Sequence, residues 1–185
     1  MKPLFLFLLL ICLVAPAVLA QKKPVPINTP AMVSHYGHGT PLLTTMKGLD
    51  GKPYSVTPLK EHWTLLYFWA DWCIPCIEKG IPELSNFVRS TPAAERNRYR
   101  IVAIRFNSLS ESGDWNDFRR KTERLEKGLW HQRPPFPIVY DSTTRVTSAW
   151  GVHALPTTAL IDPNGNLVRD GSLEKLRQAL AHPPE

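Results

Sequence analysis

Thr64-Leu65-Leu66-Tyr67-Phe68-Trp69, followed after three residues by Cys73-Ile74-Pro75-Cys76, constrains this chain more than any other feature. An unbroken apolar run reads as a strand buried on both faces, since a strand wetted on one face would alternate apolar with polar residues. Behind the cysteines, apolar residues recur at Ile77, Ile81, Leu84, Phe87 and Val88, the spacing of one helical stripe. Strand, tight loop and amphipathic helix form a unit whose sheet needs covering on both faces.

The rest of the chain continues that pattern. Strands are expected at 101–106 and 136–140, with a helix between them marked by Trp115, Phe118, Leu125 and Leu129 and N-capped by Asp114. Val146, Ala149 and Trp150 line a short helix that stops at Gly151. Strands at 157–161 and 167–169 flank an Asn164-Gly165 turn, and Ser172 caps a last helix carrying Leu173, Leu176 and Leu180, closed by Pro183-Pro184. An earlier hairpin pairs 42–46 with 54–57 around Asp50-Gly51. Strands alternating with helices predict an α/β fold, a central and largely parallel sheet with helices on both faces and antiparallel hairpins added.

The first twenty residues stand outside this scheme. Lys2 is their single charge, and an apolar run ends at Val18-Leu19-Ala20, the pattern of an export signal with a small-residue cleavage site. Cleavage after Ala20 is expected, with Ala15-Pro16-Ala17 a second site; an uncleaved segment would instead tether the domain to a membrane. Cys12 follows Ile11, where a lipobox would need a small residue, so it belongs to the apolar run. Residues 21–41 carry Pro24, Pro26, Pro30 and Pro41 and read as an extended spacer. The expected organisation is a signal at 1–20, a spacer at 21–41 and a single domain at 42–185. Of the three cysteines, removal of the signal leaves Cys73 and Cys76 as a pair.

A C-x-x-C between a buried strand and a helix puts its first cysteine at the helix N-terminus, where unpaired amides and the macrodipole favour thiolate. Cys73 is then expected to attack as nucleophile and Cys76, one turn on, to resolve the mixed disulfide. Pro75 suits the first helical turn, where no amide is needed. Other readings weigh against this one. A structural disulfide is common in exported proteins, but closing so short a loop contributes little. Half a zinc site would need two more ligands, which His35 and His38 in the spacer could supply. Attachment of c-type haem would need His where Ile77 stands. The redox reading calls for no cofactor and no metal.

Phe68-Trp69-Ala70-Asp71-Trp72-Cys73-Ile74-Pro75-Cys76 resembles the active-site signature of the thioredoxin superfamily. Trp150-Gly151-Val152-His153-Ala154-Leu155-Pro156-Thr157-Thr158 resembles its second signature, in which the proline is cis. Asp50-Gly51-Lys52 in a preceding hairpin and a helix–strand insertion over about 114–140 are similar to the exported TlpA/ResA/DsbE-like branch. The resemblance implies a thioredoxin-like fold and a periplasmic thiol–disulfide oxidoreductase, in the reducing direction. It also implies that Trp72, Leu155 and Pro156 bind substrate, a client chain docking as an added strand on the backbone beside the cis-proline. Three departures bear on mechanism: Tyr67 stands where thioredoxins bury an Asp, Lys79 where relatives often carry Glu, and Pro82 falls one residue late. No general base is thereby named, although Glu78 and Glu83 are nearby.

The expected partners are cysteine-containing exported proteins, together with a membrane thiol donor, because the periplasm has no reducing buffer. The formal net charge of +6 does not argue for nucleic acid in an exported chain. Arg119, Arg120, Lys121, Arg124 and Lys127, interleaved with Glu123 and Glu126, read as a solvated helix face. Asp71 reads as an exposed loop acid, and Trp69 and Trp72 as shielding for the sulfurs. Two competing functions use the same residues: a disulfide oxidase or isomerase, and a non-catalytic peptide-binding module.

Overall fold

The structure is a computed structural model and describes residues 46–54, 61–107, 114–168 and 171–182. The signal and spacer expectations, and the parts of predicted elements at 42–45, 55–57, 169 and 183–184, lie outside the described residues. In chain order the elements are β1 (Met46–Gly48), β2 (Pro53–Tyr54), β3 (Trp63–Trp69), a π turn (Cys76–Gly80), α1 (Ile81–Ser90), a 3-10 turn (Ala93–Arg98), β4 (Tyr99–Arg105), α2 (Trp115–Gly128), β5 (Ile138–Asp141), α3 (Arg145–Ala149), β6 (Thr157–Ile161), β7 (Leu167–Val168) and α4 (Leu173–Ala181).

One sheet runs β2-β1-β5-β4-β3-β6-β7. Among the described residues, only β3 with β4 and β4 with β5 run parallel; β1–β2, β1–β5, β3–β6 and β6–β7 are antiparallel. The sheet is therefore mixed rather than largely parallel, because hairpins are added beyond both sides of the parallel centre. β3 is buried from Thr64 to Trp69, as its unbroken apolar run requires. Its residues divide by parity between two cores. Leu65, Tyr67 and Trp69 join Ile101 and Ala103 under Leu84 of α1, Phe118 of α2 and Leu176 of α4. Leu66 and Phe68 join Val102, Ile104 and Val139 against Val146 and Trp150, at and just beyond α3.

Boundaries shift for local reasons. β5 starts at Ile138, after Pro137, whose nitrogen cannot join the ladder. It extends to Asp141, whose carboxylate accepts from the amides of Thr143 and Thr147. Asp114 and Ser172 cap their helices as expected, accepting from the amides of Asp117 and Lys175. β1 runs to Gly48, closer to its turn than the sequence placed it, because Gly51, at φ 78°, donates to the Gly48 carbonyl.

α2 is the piece inserted between β4 and β5, and it is pinned by Phe118, which stacks on Tyr140 with ring centroids 5.2 Å apart. Phe118→Ala should lower stability by about 3–5 kcal/mol, the usual range for emptying a packed aromatic site. Urea denaturation followed by circular dichroism measures it, and a loss below about 1 kcal/mol would mean that α2 is held elsewhere.

Candidate active site

β3 ends at Trp69, and the chain turns through Ala70, Asp71 and Trp72 into a helical segment that begins with the cysteines. The Cys73 amide donates to Ala70, and the Cys73 carbonyl accepts from the amides of Cys76 and Ile77, so Cys73 stands where the first helical bonds form. Cys73 and Cys76 are joined as a disulfide with Cα atoms 5.2 Å apart. Cys73 is 5% exposed and Cys76 fully buried, while Trp72 and Ile74 on either side of Cys73 are 53% and 56% exposed. The sulfur pair therefore meets solvent on the Cys73 side, inside an apolar rim.

The helix does not continue as a plain α-helix. Cys76–Gly80 is a π turn, in which Ile81 donates back to Cys76. A π turn takes up one more residue than an α turn, which accommodates the one-residue delay of Pro82. It also creates a difficulty, because the donor for the Ile77 carbonyl in that register would be residue 82, and proline has no N–H. The indole of Trp130, just beyond α2, fills the place by donating to the Ile77 carbonyl at 2.8 Å. The same ring stands edge-on to Trp69, with centroids 5.9 Å apart. Sequence reading missed Trp130, whose only signal was a Trp just past the end of a helix whose apolar stripe was already accounted for.

Tyr67 occupies the inner position beneath this turn. Its hydroxyl lies against Gly80, where a Cβ would collide with it. Burial, reinforced by the charge of Glu83, pushes its pKa above the ordinary tyrosine value, so it stays a neutral phenol. Lys79 and Glu78 are exposed on the outer face.

Asp71 is not the exposed acid expected from sequence. Its side chain is only 14% exposed and is held by two cations. Arg105, at the end of β4 and buried, donates to Asp71 Oδ1 through Nη2 at 2.7 Å and Nε at 3.0 Å. Lys121 of α2 approaches Asp71 Oδ2 at 3.3 Å and Asp117 at 2.9 Å. Arg105 also donates to Asn107, which donates to the Tyr140 hydroxyl, and its guanidinium lies 5.9 Å from the Tyr140 ring centre. The exposed face expected of α2 is otherwise present, with Arg119–Glu123 and Arg120–Asp117 pairs along it. Lys121 leaves that face to reach the cysteine loop. Burial acts to raise the Asp71 pKa, but the hydrogen bonds and charge of Arg105, with the charge of Lys121, outweigh it and hold the carboxyl below its ordinary value.

The second signature comes to the same end of the sheet. Thr157 of β6 pairs with Phe68 of β3, so Pro156 follows in the register beside Trp69 and the cysteine loop. The Leu155–Pro156 bond is cis. Leu155 is half-buried and packs on both cores, and Pro156 is exposed. Leu155 thus packs on the cluster that holds Cys73 and Cys76, Trp72 is the residue before Cys73, and Pro156 falls at the register position beside Trp69.

The AhpC/TSA family matches residues 39–169. The chain belongs to that family. It is 29% identical over 132 residues to the thiol-disulfide oxidoreductase ResA of Bacillus thuringiensis, covering 71% of this chain and 67% of that protein. It is 28% identical over 127 residues to the sporulation thiol-disulfide oxidoreductase A of Bacillus subtilis, covering 69% of this chain and 68% of that one. Both alignments span about two thirds of the relatives' length. Among solved structures, the pneumococcal exposed lipoprotein thioredoxin of Streptococcus pneumoniae superposes with a TM-score of 0.56 at 26% identity, over 74% of this chain and 96% of that one. The fold is thioredoxin-like, and the chain is a thiol–disulfide oxidoreductase.

Two outcomes test this geometry. Trp130→Phe keeps an aromatic ring but strands the Ile77 carbonyl, and should cost about 1–3 kcal/mol in urea denaturation; no loss would mean that another donor serves. Asp71 has a folded pKa below its unfolded one, so its contribution to stability is complete above the unfolded value and is lost as pH falls through the folded value. Unfolding free energies measured from pH 6 down to pH 2 should therefore fall less steeply for Asp71→Asn than for wild type, and parallel slopes would contradict the pairing.

Proposed function

We propose that this oxidoreductase works in the periplasm as a reductant of cysteines in exported proteins, with Cys73 as the attacking thiol and Cys76 as the resolving one. The observation that carries the roles is the asymmetric burial of the pair, 5% against 0% exposed, at the start of a helix. An incoming sulfur can approach Cys73 and not Cys76. The positive end of the helix dipole favours the Cys73 thiolate. That thiolate attacks one sulfur of a client disulfide, forming a Cys73–client disulfide and expelling a client thiolate. Cys76, deprotonated, then attacks Cys73 Sγ and releases the second client thiolate. Two electrons pass from the cysteine pair to the client, the protons of the two protein thiols end on the client thiols, and the Cys73–Cys76 disulfide remains.

Docking belongs to the surface beside that sulfur. Exposed Trp72 and Pro156, with the backbone of Leu155, offer an apolar wall and a strand edge on which an extended client segment can add. The apolar N-terminal run ending at Ala20 supports export, and the name of the pneumococcal neighbour describes an exposed lipoprotein. Regeneration needs electrons from a membrane-embedded dithiol, since no periplasmic buffer supplies them.

The decisive measurement is equilibration of the pair with glutathione. A reductant should give a potential near the thioredoxin value of about −270 mV, and a value near about −120 mV would place the protein with strong oxidants instead. In the same preparation Cys76→Ala should accumulate mixed disulfides on Cys73 and identify clients, while Cys73→Ser should lose insulin reduction altogether.

A further inference from the structure

Asp71 lies two residues before Cys73, with Cα atoms no more than about 7 Å apart, close enough for its charge to be felt at the sulfur. A lone carboxylate there would oppose formation of a thiolate. The structure instead gives each Asp71 oxygen its own cation, Arg105 on Oδ1 and Lys121 on Oδ2. The two partners differ in origin. Arg105 comes from the central strand beside the site, while Lys121 comes from the inserted helix α2 and is 35% exposed. Lys121 is itself shared with Asp117 one turn earlier in α2.

We propose that Lys121 is a positioning residue through which the inserted helix α2 holds and neutralises Asp71, and thereby sets how readily Cys73 releases its thiol proton. This rests on the reading of Cys73 as the attacking thiol. Among the described residues, the other charged or titratable groups on the elements around Cys73 are Tyr67 on β3, a neutral phenol, Glu78, Lys79 and the exposed Glu83 on the helical segment it opens, Arg105 on β4, Asp117 on α2 and His153 in the loop before Pro156. Glu78, Lys79 and His153 are exposed, so solvent weakens their influence. The Asp71 carboxylate is mostly shielded from solvent, and its charge balance is the one that α2 controls. The thiol proton passes to solvent in this step, and no other bond changes.

Opposite substitutions give opposite signs, which a purely structural role would not. The reduced full-length protein is treated with iodoacetamide across pH 5–9, and alkylation of the peptide carrying Cys73 is followed by mass spectrometry. Below the thiol's titration, Asp71→Asn should react about two- to threefold faster than wild type, the effect of removing one charge at roughly 7–10 Å through a water-like medium. Lys121→Met should react slower, by up to about twofold, and the double variant should return near wild type. All four should converge at high pH and draw together in strong salt. Asn at 71 can still accept from Arg105, and Lys121 sits at the surface, so Lys121→Met carries the test even if Asp71→Asn folds poorly. Profiles for Lys121→Met that coincide with wild type, or that shift in the same direction as Asp71→Asn, overturn the proposal. A wild-type protein whose disulfide fails to exchange with glutathione would instead overturn the reading of Cys73 on which it rests.

Discussion

Burial of β3 on both faces is the constraint from which the rest of this structure follows. A strand with no wet side must sit at the centre of a sheet with helices above and below, and its alternate residues must feed two separate cores. Leu65, Tyr67 and Trp69 enter one, and Leu66 and Phe68 the other. The carboxyl end of that strand then delivers the cysteine pair to a rim formed by the neighbouring parallel strand and by the loop that precedes β6. The two cysteines need no scaffold of their own.

The insertion between β4 and β5 is a second structural element with a share in the site. It touches the cysteine segment on both sides, through Lys121 on Asp71 before Cys73 and through Trp130 on the Ile77 carbonyl after Cys76. Replacing a buried ion pair by well-packed apolar residues is often neutral or stabilising, so the Arg105–Asp71 pair makes better sense as a device that fixes where the loop sits. The indole bond serves a carbonyl that the π turn and Pro82 would otherwise leave without a donor. Both contacts make the geometry of the loop depend on α2.

Much of this was legible in the chain. The α/β class, the two cysteines, the hairpin around Asn164-Gly165 and the caps at Asp114 and Ser172 follow from local patterning and turn chemistry, which act over a few residues. Strand ends at 136–141 were off by one or two positions because a proline and a carboxylate cap decide where the ladder starts and stops. Asp71 was misread for a different reason. An acid in a short loop is usually solvated, and nothing near it in sequence shows a cation. Arg105 carried a signal of its own, a charge closing an apolar strand, but a lone charge does not say what pairs with it.

Local sequence therefore determined the fold class, the cysteine pair and the helix that opens beside it, since hydrophobic period, capping and turn residues act between near neighbours. The tertiary structure decided the electrical surroundings of those cysteines. Parallel pairing of β3 with β4 sets Arg105 opposite Trp69, two residues before Asp71, and packing of Phe118 on Tyr140 holds α2 so that Lys121 completes the group. Asp71, Arg105 and Lys121 are far apart along the chain, and only sheet register and helix packing bring their charges into contact.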